Sequence, residues 1–168
     1  MSPTLHTLRF PGAILERGFW LYVWDITTAS GGAVLYVGRT GDEASVNAQS
    51  PFTRVSQHLG SNKNANAMRR NLEARKIDPA GCTSYEMVAY GPVFAETRTW
   101  EEHVPSRDKV AAAEKALCDA LTEAGYDVVN KIHCKRKLDD ALWQEVLAAF
   151  AEHFPKLSRA RSASIGEL

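Results

Sequence analysis

The chain has 168 residues, 45% of them apolar, and its 20 Lys plus Arg balance 20 Asp plus Glu. At this length roughly 70% of the unfolded surface can be buried, so one self-sufficient domain is expected. Zero formal net charge speaks against a globally basic or acidic protein, so a charged partner must be met by a local patch. Three cysteines with no C-x-x-C pair speak against a disulfide frame or a cysteine zinc site and suit reduced thiols in packing roles.

In chain order, residues 1–18 (MSPTLHTLRFPGAILERG) carry no basic region leading into a long apolar run, and no segment approaches a membrane span. They are read as an N-terminal extension of a soluble, cytoplasmic protein without a membrane partner. Residues 19–28 (FWLYVWDITT) are aromatic and β-branched, and ASGG follows just before a second run, VLYVGRTGD. This predicts a β-hairpin. Val34, Leu35 and Val37 are β-formers on both sides of the pleat, which reads as a central strand covered on two faces. It stops at Tyr36-Val37-Gly38-Arg39, where Gly38 leaves the backbone bare for a close approach and Thr-Gly-Asp supplies turn chemistry.

After a polar loop, Pro51 at a first helical position opens a helix to about Leu59, and AMRRNLEARKI continues as a second. Residues 83–91 (TSYEMVAYG) alternate as a third strand. A loop of about fifteen residues containing RTWEEHVPS is expected next, with Ser106 capping a helix that closes on Gly125. Residues 126–137 form a short extended piece and loop, and a final helix over 138–155 precedes a Ser/Arg/Ala tail, 156–168, of disordered composition. The order predicts an α+β domain over 19–137, a small, mostly antiparallel three-stranded sheet flanked by helices, with the last helix packed on it.

Several polar residues fall on apolar faces. In the Ser106 helix, Val110, Leu117 and Leu121 share a stripe, and Glu114 lies four after Val110 and three before Leu117. Either Glu114 points into the stripe, which requires a pairing partner, a hydrogen bond or a metal, or the helix is rolled so that it sits at the edge. In the Pro51 helix, Phe52, Val55 and Leu59 make the expected buried side, while Arg54 and His58, four apart, share a neighbouring face. That face is either solvated or part of a phosphate site, for which a guanidinium fork and an imidazole are suited. Tyr22 shares a pleat face with Trp20, Trp24 and Ile26, and Tyr36 reaches it across the hairpin; core filling with a hydroxyl at the rim is the plain alternative.

Taken in order, Trp20-Leu21-Tyr22, Tyr36-Val37-Gly38, Arg39, Arg54, His58, Glu114 and Asn130 resemble the motifs of the GIY-YIG nuclease family, over about residues 19–131. The first motif keeps only its tyrosine, with Trp20 and Leu21 where the family usually has Gly and Ile. The resemblance implies a metal-dependent endonuclease that hydrolyses DNA phosphodiesters to 5′-phosphate and 3′-hydroxyl ends. It implies Glu114 as the single protein ligand of one divalent ion, Mg²⁺ with Mn²⁺ as a substitute, and Arg54 and Arg39 as cations on the phosphate. Tyr22 and Tyr36 would orient and deprotonate water, their phenol pKa lowered by Arg39, Arg54 and the metal, with His58 in the proton relay and Asn130 ordering the site. RNA stays open as a substrate, as does the oligomeric state. Two basic clusters flank the motif: Lys63, Arg69, Arg70, Arg75 and Lys76 before the third strand, and Lys131, Lys135, Arg136 and Lys137 after Asn130. They are the expected nucleic-acid contacts. The alternative is a nucleic-acid-binding or interaction module that keeps the fold without cleaving.

Overall fold

A computed structural model describes residues 4–42, 45–60 and 66–158. It is α+β: a three-stranded antiparallel sheet in the order β2-β1-β3, with β1 at Gly18–Thr27, β2 at Ala33–Arg39 and β3 at Ser84–Ala95. The hairpin between β1 and β2 closes through Thr28 N–H to Gly32 O at 2.8 Å and Gly31 N–H to Thr28 O at 2.9 Å. Gly31 sits at φ 81°, a left-handed position that glycine takes without a Cβ clash.

The central strand is β1, not β2. The expectation for β2 rested on its two-sided burial, which is real: residues 34–38 are all buried. Its outer edge is closed by the chain that follows the long helix. Leu35 N–H bonds Asp127 O and Val129 N–H bonds Leu35 O, both at 2.8 Å, forming an isolated parallel bridge between Leu35 and Val128. An edge strand covered in this way satisfies its backbone groups and reads like an interior one.

Four helices complete the domain: α1 at Pro51–Leu59, α2 at Ala67–Ala74, α3 at Trp100–Glu123 and α4 at Asp140–His153. Because side chains alternate along β1, the sheet supports two cores. Phe19, Leu21, Val23, Leu35 and Val37 pack against Val110, Leu117 and Leu121 of α3 and Val146 and Phe150 of α4. On the opposite face, Tyr22, Trp24, Ile26, Val34 and Tyr36 meet Met68 and Leu72 of α2.

Two boundaries differ from expectation. β3 runs on to Ala95, and α3 begins at Trp100, so the predicted fifteen-residue loop is mostly strand and helix. Thr99 caps α3 by accepting from Glu102 N–H at 3.3 Å, and Glu101 and Glu102 sit in the positive first turn. Pro105 lies inside the helix, where it removes the N–H donor to Glu101 O; Glu101 is exposed, so water can donate to that carbonyl instead.

The first helix is rolled relative to the prediction. Pro51 and His58 are its buried residues, whereas Phe52 and Leu59 are more than one-third exposed. The apolar side of α1 instead faces the N-terminal segment, with the Phe10 and Phe52 rings 4.8 Å apart. The N-terminal segment thus partly shields a helix face that the sheet does not.

Candidate active site

The turn of α1 puts its polar side, Arg54 and His58, against the tyrosine face of the sheet. Tyr22 and Gly38 are directly opposed in the β1–β2 register, as are Trp24 and Tyr36. Gly38 answers why the second strand ends without a side chain at that point. A Cβ there would lie 2.5 Å from Tyr22 ring carbons and 2.6 Å from its hydroxyl oxygen. The absent side chain is what lets the Tyr22 ring cross β2.

Tyr22 Oη and His58 Nε2 are 2.7 Å apart, and the Tyr36 ring lies against His58 with centroids 5.1 Å apart. Burial, reinforced by the Arg54 charge, lowers His58 to about 4, so its ring is neutral near pH 7. Burial raises Tyr22 far above the usual phenol range, against the opposing pull of Arg54. It pushes Tyr36 up to about 12, with Glu114 adding to the rise. Arg54 and Arg39 pull in the expected direction, but the two arginines alone do not bring the phenols below their usual range, since desolvation outweighs them. Between a protonated tyrosine and a neutral histidine the bond runs either from Tyr22 O–H to His58 Nε2 or from Nε2–H to Tyr22 Oη; the first, with the ring hydrogen on Nδ1, is the direction in which Tyr22 can pass its proton on.

Glu114 points inward, resolving the two possibilities for α3. Its carboxylate accepts from Arg39 Nε at 3.0 Å, with both side chains only 15% exposed. Burial raises the Glu114 pKa, opposed by Arg39. On the other side, Arg54 forms an ion pair with Asp42 and donates from Nη1 to Gln57 Oε1 at 2.8 Å. Asp42, read in the sequence only as part of a turn, is the residue that was missed. A buried arginine needs a carboxylate, and Asp42 is the acid that ends the glycine turn after Arg39.

Asn130 lies beneath this cluster rather than in it. Its Oδ1 accepts from Val37 N–H at 3.0 Å and its Nδ2 donates to Val37 O at 2.8 Å, so the side chain pairs with β2 as another strand would. Both amide groups are engaged in holding the strand that carries Tyr36, Gly38 and Arg39, an ordering role.

Thus Tyr22, Tyr36, Arg39, Arg54, His58 and Glu114, spread along the chain from β1 to α3, converge where β2, α1 and α3 meet. Three buried polar atoms there, Arg39 Nη1, Arg54 Nε and His58 Nδ1, have no hydrogen-bond partner among the described residues. Unpartnered guanidinium donors in a buried site suit an oxyanion, above all a phosphate. A metal fits in one way. Among the described residues Glu114 has one oxygen on Arg39 and no other hydrogen-bond partner, and no group of three His, Cys, Asp or Glu able to hold a metal occurs. A divalent ion would take one protein carboxylate and draw its remaining ligands from water and phosphate, as Mg²⁺ does.

The basic clusters divide. Lys63 lies outside the described residues. Arg69 pairs with Glu73 one turn along α2 at 2.9 Å, and exposed Arg70 acts electrostatically on Tyr36. Arg75 is a structural tie, since it forms an ion pair with Asp127 and donates to Val128 O at 2.8 Å, anchoring α2 to the strand-like segment beside β2. Lys76, Lys131, Lys135, Arg136 and Lys137 are exposed. No helix among the described residues is long and apolar enough to cross a membrane. Comparison with protein-family models, curated proteins and solved structures gives no match to this chain.

Proposed function

We propose that the chain is a metal-dependent endonuclease of the GIY-YIG type that hydrolyses DNA phosphodiesters, leaving 5′-phosphate and 3′-hydroxyl ends. The observation that carries this reading is the buried Tyr22–His58 hydrogen bond set beside two arginines with unpartnered N–H groups. A proton acceptor and a phosphate cradle thus share one site. Hydrolysis needs a nucleophile in line with the leaving oxygen and positive charge on the non-bridging oxygens.

Arg54 and Arg39 would hold those oxygens. A water aligned by the tyrosines would attack phosphorus, its proton passing to Tyr22 Oη while the Tyr22 proton moves to His58 Nε2. The bond from phosphorus to the 3′ oxygen then breaks, and that oxygen takes up a proton. Raised phenol pKa values keep Tyr22 protonated at rest, so it passes a proton on without persisting as a phenolate, whereas burial and Arg54 oppose a charged His58, and the negative charge of the bound phosphodiester is what would offset them. Glu114 would hold the divalent ion, Mg²⁺ or Mn²⁺, whose chemistry is to neutralise charge on the phosphate and the leaving oxygen.

A second reading, a nucleic-acid-binding module without cleavage, is favoured by one feature: Arg39 and Arg54 each already have a carboxylate partner, in Glu114 and Asp42. The two are separated by incubating the protein with duplex, single-stranded and branched DNA and with RNA, in Mg²⁺ and in EDTA, and identifying the ends. Mg²⁺-dependent cuts bearing 5′-phosphates support the nuclease. Binding with no cut in any substrate supports the module.

A further inference from the structure

Beside the site lies an open groove of about 300 Å³, lined by Arg39 and Asp42 together with Arg107 and Asp108 of α3 and Lys135 and Arg136 of the loop after Asn130. Arg39 belongs to both places, since it lines this groove and also bonds Glu114. Two carboxylates line the groove: Asp42 is already paired with Arg54, and Asp108 is the one set among the groove's own arginines. Asp108 Oδ1 accepts from Arg107 Nη2 at 3.0 Å and Nε at 3.2 Å, and Asp108 Oδ2 lies 3.3 Å from Arg136 Nε. Two guanidiniums from separate elements are thus drawn together on the two oxygens of Asp108.

The supporting shell is specific. The Arg107 guanidinium stands 5.3 Å from the Trp100 ring centroid, which limits its swing. The loop is held by Asn130 on Val37 and turned by Arg136 N–H to Cys134 Sγ at 3.4 Å. Cations gathered this closely repel one another, and a single carboxylate bridging two of them takes the place that a phosphate oxygen pair would fill. Asp108 is 25% exposed, so the bridge is open to exchange with a ligand from solvent.

We propose that this groove is a second phosphate subsite, which takes a phosphodiester neighbouring the one at Arg39 and Arg54, and that Asp108 is its built-in counter-ion, displaced from Arg107 and Arg136 as the strand enters. The subsite rests on the nuclease reading, and it adds Arg107, absent from the basic clusters of the sequence, as a strand contact. Asp108 lowers affinity for the strand by competing for the same donors. It also keeps the resting groove from holding small anions tightly.

The test is a fluorescence-anisotropy salt titration of a short labelled DNA duplex against the full chain in EDTA, with Asp108→Asn and with the double variant Arg107→Ala/Arg136→Ala. Asp108→Asn is expected to bind roughly threefold to tenfold more tightly, a gain that misfolding cannot imitate. The double variant is expected to bind more weakly, with the slope of log affinity against log salt reduced by about 0.9 because one fewer phosphate is neutralised. Binding by the unaltered chain with neither variant changing affinity or slope would overturn the subsite and leave the nuclease reading standing. No binding by the unaltered chain would overturn both.

Discussion

His58 offers a quantitative test of whether the cluster is as tightly enclosed as it looks. It is 7% exposed and held at about 4, against 6.5 for a free histidine, by burial first and Arg54 second. Between those two values the unfolded chain binds a proton that the folded chain refuses, so this contribution is full above the unfolded pKa and is lost as pH falls toward the folded one. The difference corresponds to about 3 kcal/mol. Glu114 and Asp25 pull the other way: burial raises both carboxyls, so their contribution falls as pH rises. The total acid slope is therefore not diagnostic, and the comparison must be with His58→Gln, which keeps an acceptor for Tyr22 O–H but does not titrate. Urea unfolding of both proteins should show the stability of wild type, relative to the variant, falling by about 3 kcal/mol between about pH 7 and about pH 4. Parallel curves would mean that folded His58 titrates like a free histidine and that the enclosure by Tyr22, Tyr36 and Arg54 is wrong.

Tyr22→Phe and Tyr36→Phe should both fold and both slow cleavage, by about 100-fold or more for the acting base, with the greater loss at Tyr22 because its hydroxyl is the one bonded to His58; small, equal losses in single-turnover assays would return both rings to core packing. Arg54→Lys should reduce turnover at least about tenfold with little change in DNA affinity, since an ammonium cannot reproduce a guanidinium fork; near-normal turnover would remove Arg54 from the phosphate. Asn130→Ala removes two hydrogen bonds to Val37 and should lower stability by about 2–4 kcal/mol in urea unfolding, and an unchanged midpoint would refute its role as a surrogate strand.

The hairpin, the two helices after it and the three-strand sheet were legible because their signals are local: apolar runs, ASGG, Pro51 after Ser50. The order of the strands was not, because two-sided burial of β2 depends on residues 127–130, about ninety positions away. Ser106 has the side chain of an N-cap, but Thr99 with Glu102 three positions later is the stronger start signal. Within the site, Glu114 stood out as a carboxylate in an apolar stripe, and Arg54 and His58 as a helical pair. The roll of α1 could not be read from its own pattern. Phe52, Val55 and Leu59 predict a buried side, whereas in the structure Phe52 stays partly exposed against Phe10 of the N-terminal segment and the polar side faces Tyr22. The direction of the phenol shifts was equally hidden, since the charges are visible in sequence and the desolvation is not.

The central claim is that the cluster around Glu114 cuts DNA, and the most direct measurement is nicking of supercoiled plasmid in Mg²⁺ by wild type and Glu114→Gln, with DNA binding measured in parallel. Gln keeps an acceptor for Arg39 and removes the charge that would hold the ion. The account predicts that wild type nicks, that EDTA stops it, and that Glu114→Gln binds DNA but leaves it intact. Nicking by Glu114→Gln at the wild-type rate, or a wild type that binds DNA and never cuts it, would contradict the account.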